Sequence, residues 1–182
     1  MMRQRTVFLV GFMGAGKSTV GRALSRRLGW QFEDLDEHIQ AREGRSIEAL
    51  FRESGEAEFR RAELAALSAL LAAHSSLPMV VALGGGAFVQ KGTAALVAST
   101  GAPAVFLDAP VEELWRRCQA EEHQRPLRRD REQFRQLYEV RRPGYLQANL
   151  HIQTNGKDVE TVAAEVASRL GLGEQEDLGK ES

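Results

Sequence analysis

The chain has 182 residues, 43 % of them hydrophobic and 27 % charged, which is enough for one well-packed domain and too little for two. A formal net charge of −1 excludes the broad basic field that would draw the protein to nucleic acid or an anionic membrane. The single cysteine, Cys118, excludes an intrachain disulfide, and with no apolar run long enough to span a bilayer the expectation is a cytoplasmic monomer.

Arg3 and Arg5 precede an apolar run, as in a signal peptide, but the run is short and leads into Lys17 rather than a cleavage site. Residues 6–10, "TVFLV", read as a buried strand. "GFMGAGKS" follows, with Gly11, Gly16, Lys17 and Ser18 at the spacing of a phosphate-binding loop, and an amphipathic helix is expected over 17–28. Glycines there let the backbone curl so that several N–H groups converge on phosphate oxygens, and the helix N-terminus adds its dipole. Lysine brings charge to the terminal phosphates and serine can ligate Mg²⁺, so the loop predicts a nucleoside triphosphate site.

A weak strand at 31–32 leads into "FEDLDEHI". Asp34 and Asp36 stand two apart at the C-terminal end of a parallel strand, the edge where ligands gather in such sheets. One carboxylate there can steady Mg²⁺ and the other can accept a proton from a hydroxyl. A solvated acidic cluster capping the next helix accounts for the same residues equally well. Helices are expected at 46–51 and 56–73. Glu56, Arg60 and Glu63 fall on one face of the second, either as surface ion pairs or with Arg60 turned inward as a fork for a carboxylate.

The strand expected over 80–83 stops at three consecutive glycines, Gly84, Gly85 and Gly86, which can meet a ligand only with backbone. A strand at 104–107 and a helix at 111–120 come next. "AEEHQRPLRRDRE", 120–132, is almost wholly polar, carries Arg125 before Pro126, and should lie over the surface. A helix over 131–147 includes Arg141, followed by a strand at 150–153 and a helix at 158–170. Residues 171–182 lack apolar periodicity and are expected to be disordered. Short apolar strands alternating with helices predict a five-stranded parallel sheet in a three-layer α/β/α sandwich, a single domain over 1–170.

In this order, "GFMGAGKSTVGRALSRRLG", "DLDEHIQAREGRSIEALFRESGEAEFRRAE", "VVALGGGA", "RPL" and "LYEVRRPGY" resemble the shikimate kinase family. Its members phosphorylate the 3-hydroxyl of shikimate with ATP, on the way to chorismate and the aromatic amino acids. The resemblance implies a substrate-binding region over 34–62 and a mobile lid over 120–132. It implies ATP contacts at Gly14, Ala15, Gly16, Lys17, Ser18 and Thr19, with Arg117 on the adenine and the lid's Arg125 on the transferring phosphate. One Mg²⁺ ion would sit with ATP at Ser18 and Asp34. Asp36 would bind shikimate hydroxyls and act as the base, with Lys17 and Arg125 as the other catalytic groups. Arg60 and Arg141 would grip the carboxylate, and Gly84, Gly85 and Gly86 would line the ring.

Three positions depart from the family pattern: Arg128 replaces a second leucine after "RPL", Gly144 replaces a leucine before Tyr145, and "QTNGKDVE" lacks a proline. Two rivals remain at this point. One is a small kinase for another acid such as gluconate; the other is a nucleotide-binding regulatory module, disfavoured because Lys17, Asp36 and Arg125 are all present.

Overall fold

A computed structural model describes residues 5–120 and 130–173. The elements run β1 (Thr6–Val10), α1 (Lys17–Leu28), β2 (Gln31–Asp34), α2 (Leu35–Glu43), α3 (Ile47–Ala73), β3 (Met79–Ala82), α4 (Lys91–Ser99), β4 (Ala104–Asp108), α5 (Val111–Ala120), α6 (Arg131–Tyr145), β5 (Leu150–Gln153) and α7 (Val159–Arg169). The five strands form one sheet in the order β2-β3-β1-β4-β5, every pair parallel. Helices cover both faces, giving the expected three-layer sandwich; α1 packs against α7, and α2 against α3.

The apolar runs explain the strand order. β1, β3 and β4 are buried at every position, as continuous hydrophobic stretches must be when helices cover both sides. The more polar β2 and β5 take the two edges. Phe8, Leu9, Met79, Val105 and Phe106 are at most 1 % exposed. Each such side chain contributes about 1.5–3 kcal/mol through its removal from water.

Two helices absent from the sequence reading, α2 and α4, fill the crossovers after β2 and β3. α2 forms because Asp34 caps it, Oδ1 accepting the Asp36 N–H at 2.9 Å, and because Leu35 and Ile39 bury one side. Gly44 closes it in the left-handed region with φ 67°. The two helices expected at 46–51 and 56–73 are one element interrupted at Gly55, whose φ of 80° and ψ of 172° are not helical. The expected lid falls mostly on residues 121–129, and the expected disordered tail on 174–182; both segments lie outside the described residues.

All strands being parallel, their C-terminal ends share one edge. Register brings Asp34 beside Ala82 and Asp108 beside Gln153, so the segments after β1, β2, β3 and β4 open on the same side.

Candidate active site

The loop after β1 is shaped by close approaches that only glycine allows. A Cβ at Gly11 would stand 2.8 Å from the Leu107 carbonyl oxygen, and one at Gly14 would stand 2.8 Å from that of Leu114 and 3.0 Å from Cys118 Sγ. β4 and α5 thus hold the loop from behind. Gly16, at φ 86°, turns the chain into α1, whose first turn carries neither an acidic residue nor a side-chain cap. Its N–H groups are left for an anion. Lys17 Nζ donates to the carbonyls of Gly11 at 2.8 Å and Phe12 at 3.1 Å, folded back along the loop it serves. Ala15 is buried, while Gly14, Gly16 and Ser18 are half-buried and Thr19 exposed on the first turn of α1.

Ser18 and Asp34 meet across the cleft between α1 and β2. The serine hydroxyl donates to Asp34 Oδ2 at 2.7 Å while Oδ1 caps α2. The carboxylate thus caps α2 through one oxygen and takes the serine hydroxyl on the other. A hydroxyl beside a carboxylate is an oxygen donor set that suits Mg²⁺. Among the described residues no cluster of three or more His, Cys, Asp or Glu side chains is placed to hold a metal alone, so the phosphates of a nucleotide would complete the shell.

The glycine run after β3 is ringed by charge. A Cβ on Gly84 would lie 2.8 Å from Asp36 Oδ1 and 3.4 Å from Glu63 Oε2. On Gly86 it would lie 2.5 Å from Arg60 Nη2 and 3.0 Å from Arg141 Nη2, and on Gly85 3.5 Å from Arg141 Nη1. Asp36 from α2, Arg60 and Glu63 from α3, and Arg141 from α6 thus converge on bare backbone.

Arg60 both makes the expected ion pairs and turns inward. It pairs with Glu63 at 2.9 Å and approaches Glu56 at 3.7 Å, as the spacing predicts. Yet its side chain is only 16 % exposed and turns to the glycines, with Nε buried and without a hydrogen-bond partner among the described residues. Glu63 is 1 % exposed, and burial pushes its carboxyl above the ordinary range, with the Arg60 guanidinium pulling the other way.

Two residues here escaped the functional reading of the sequence. Glu63 was visible only as an ion-pair partner. Tyr145 is fully buried, donates its hydroxyl to the Gly85 carbonyl and so fixes the glycine run from behind. Burial pushes its phenol up to about 12, against the pull of Arg141. The "RRPGY" motif held the only signal for it.

On the other side of the phosphate loop, Arg117 donates from Nη1 to the Gly14 carbonyl at 3.2 Å and to Thr154 Oγ1 at 3.4 Å, with Nε on Glu113 at 3.1 Å. This places it between the loop and the start of the "TNGK" turn. Arg125 lies outside the described residues. Gly144 has a packing reason: a Cβ there would come within 2.5 Å of Val89 Cγ1, so the space a larger residue would need is filled by the segment after the glycine run.

The shikimate kinase family model matches residues 13–171. A shikimate kinase of Persephonella marina is 35 % identical over 166 residues, spanning 91 % of this chain and 99 % of the relative. One of Caulobacter vibrioides is 42 % identical over 167 residues, spanning 90 % and 80 %. The solved structure of Acinetobacter baumannii shikimate kinase in complex with shikimate superposes with a TM-score of 0.83 at 33 % identity, covering 91 % of this chain and 92 % of the other. The chain belongs to the shikimate kinase family.

Proposed function

We propose that this chain transfers the γ-phosphoryl group of ATP to the 3-hydroxyl of shikimate, giving shikimate 3-phosphate, along the sheet edge between the phosphate loop and the glycine run. Shikimate kinases are ATP-dependent phosphotransferases with an alcohol acceptor, acting in aromatic amino-acid biosynthesis. The observation that carries the reading for these particular residues is the convergence of Asp36, Arg60 and Arg141 on Gly84, Gly85 and Gly86.

Phosphoryl transfer needs positioning and charge stabilisation more than covalent help. The loop N–H groups of Gly14, Gly16, Ser18 and Thr19 hold the phosphates, Ala15 closing the loop with its N–H on the Phe12 carbonyl at 3.1 Å, and Lys17 exchanges the carbonyls it now binds for phosphate oxygens. Ser18 and Asp34 would hold one Mg²⁺, which when bound offsets negative charge on the phosphates. Arg117 supports the adenine side, and Arg125 would add charge at the transferring group. At the other end, two guanidiniums fix the carboxylate of the ring acid, each as a charge-assisted fork. That leaves a ring hydroxyl facing Asp36, which orients it and accepts its proton. Gly84, Gly85 and Gly86 admit the ring without a side chain in its way.

No helix among the described residues is long and apolar enough to cross a membrane. A cytoplasmic monomer that takes ATP and shikimate and no nucleic acid belongs to the same proposal. A coupled assay of ADP release tests it. ATP with shikimate should turn over, and ATP with gluconate should run far slower. Equal rates on the two acids, or none on shikimate, would overturn the reading.

A further inference from the structure

Arg142, the neighbour of Arg141, makes contacts that the phosphoryl-transfer chemistry does not use. Its Nη2 donates to Asp108 Oδ2 at 3.0 Å and its Nε to the Tyr138 hydroxyl at 3.1 Å. Asp108, the last residue of β4, is 6 % exposed and also accepts from Gln153 Nε2 at 3.2 Å and the Tyr138 hydroxyl at 3.5 Å. Its backbone carbonyl takes the N–H and hydroxyl of Thr154, at 2.8 Å and 3.1 Å. The carboxylate is therefore fixed to the sheet edge, and Arg142 is fixed to it.

The place of that anchor matters. Pro143 follows Arg142 inside α6, so one N–H is missing from the helix ladder, and the helical conformation is disfavoured at the residue before the proline. Backbone hydrogen bonding in this turn is one donor short. Successive helical residues project about 100° apart. Arg142 pointing to the end of β4 therefore sets Arg141 pointing to Gly85 and Gly86, where its Nη atoms stand 3.5 Å and 3.0 Å from the respective Cβ positions. Arg141 also lies over Phe12 of the phosphate loop, 5.8 Å from the ring centroid, and Tyr138 meets that ring edge-on at 5.6 Å.

We propose that the Asp108–Arg142 ion pair is a positioning device that sets the rotation of the proline-containing turn of α6 and thereby aims Arg141 at the substrate carboxylate. This rests on the proposed role of Arg141. Burial opposes the Arg142 charge, and its hydrogen bonds to Asp108 and Tyr138 nonetheless hold its pKa above the ordinary value, in keeping with a formed pair.

The test is a kinetic cycle on the full chain with ATP and shikimate, using Arg142→Ala, Arg141→Ala and the double variant. Arg142→Ala should raise KM for shikimate by roughly three- to tenfold, with kcat and KM for ATP within about twofold. Arg142→Lys, which can reach Asp108 but cannot also hold Tyr138, should fall between, and it replaces the alanine variant if that one does not fold. In the Arg141→Ala background, Arg142→Ala should add almost nothing, because there is no guanidinium left to aim. An unchanged KM for shikimate, with only thermal stability lowered, would reduce the pair to scaffolding. Additive effects in the double variant would equally overturn a role through Arg141. If Arg141→Ala alone leaves KM unchanged, the carboxylate role of Arg141 fails first, and the positioning role falls with it.

Discussion

Replacing Gly84 by alanine separates function from stability at this site. The new Cβ would stand 2.8 Å from Asp36 Oδ1 and 3.4 Å from Glu63 Oε2. Ordinary contact begins near the second distance, so the Asp36 carboxylate must retreat by roughly half an ångström or rotate. Misplacement on the order of 1 Å costs about a hundredfold in reactions governed by positioning, so kcat/KM for shikimate should fall by about ten- to a hundredfold. Gly84 is not among the glycines with positive φ, so alanine fits its backbone. A compatible Gly→Ala change stabilises by about 0.4–1 kcal/mol through the unfolded chain, which offsets part of the crowding. Urea unfolding should therefore show stability within about 1 kcal/mol of the parent. Gly101→Ala is the contrast: its φ is +69° and nothing stands within 4 Å of a Cβ. It should lose about 1 kcal/mol with kcat/KM unchanged. A Gly84→Ala protein with the parent's kcat/KM would show that Asp36 has no fixed place beside the glycine run.

Two further outcomes follow from the same geometry. Asp36→Asn keeps the shape and removes the proton acceptor, so kcat should fall by ~10²-fold or more while KM for ATP stays near the parent value, read in the ADP-release assay. Glu63 holds its proton more tightly in the folded chain, because burial raises its carboxyl above the ordinary 4.5. Stability linked to it is therefore fully present below the unfolded value and is lost as pH rises through the folded one. The stability of the parent minus that of Glu63→Gln, from urea unfolding, should decline as pH rises above about 4.5; a difference that grows instead would contradict the burial argument.

The parts of this structure that were legible in the sequence are those where one residue type has one physical use. The apolar runs of β1, β3 and β4 read as covered strands, and "GFMGAGKS" between strand and helix read as a tight glycine turn, which is what the structure has. α2 was hidden because its acids obscured the short Leu35–Ile39 stripe, and the cap that starts it is the same Asp34 that meets Ser18. α4 has no side-chain cap, no acidic residue in its first turn and no basic residue in its last to mark its limits. For Arg60, spacing alone could not decide whether the side chain faces out or in, because its ion pairs run along the helix while its far face meets Gly86. Tyr145 and Asp108 act through partners 60 and 34 or more residues away, Gly85 for the first and Arg142 and Gln153 for the second, which no local pattern encodes.

The central claim is that Arg60 and Arg141 form a grip for a carboxylate above the glycine run. It is tested most directly by comparing shikimate with its neutral amide on the parent chain and on the Arg60→Ala/Arg141→Ala variant. Each guanidinium–carboxylate contact is worth about 1.5–3 kcal/mol, or roughly one to two decades in kcat/KM. The parent should discriminate strongly in favour of the acid, and the double variant should treat acid and amide nearly alike. A double variant that still prefers the acid as strongly as the parent does would place the carboxylate elsewhere and contradict this account of the site.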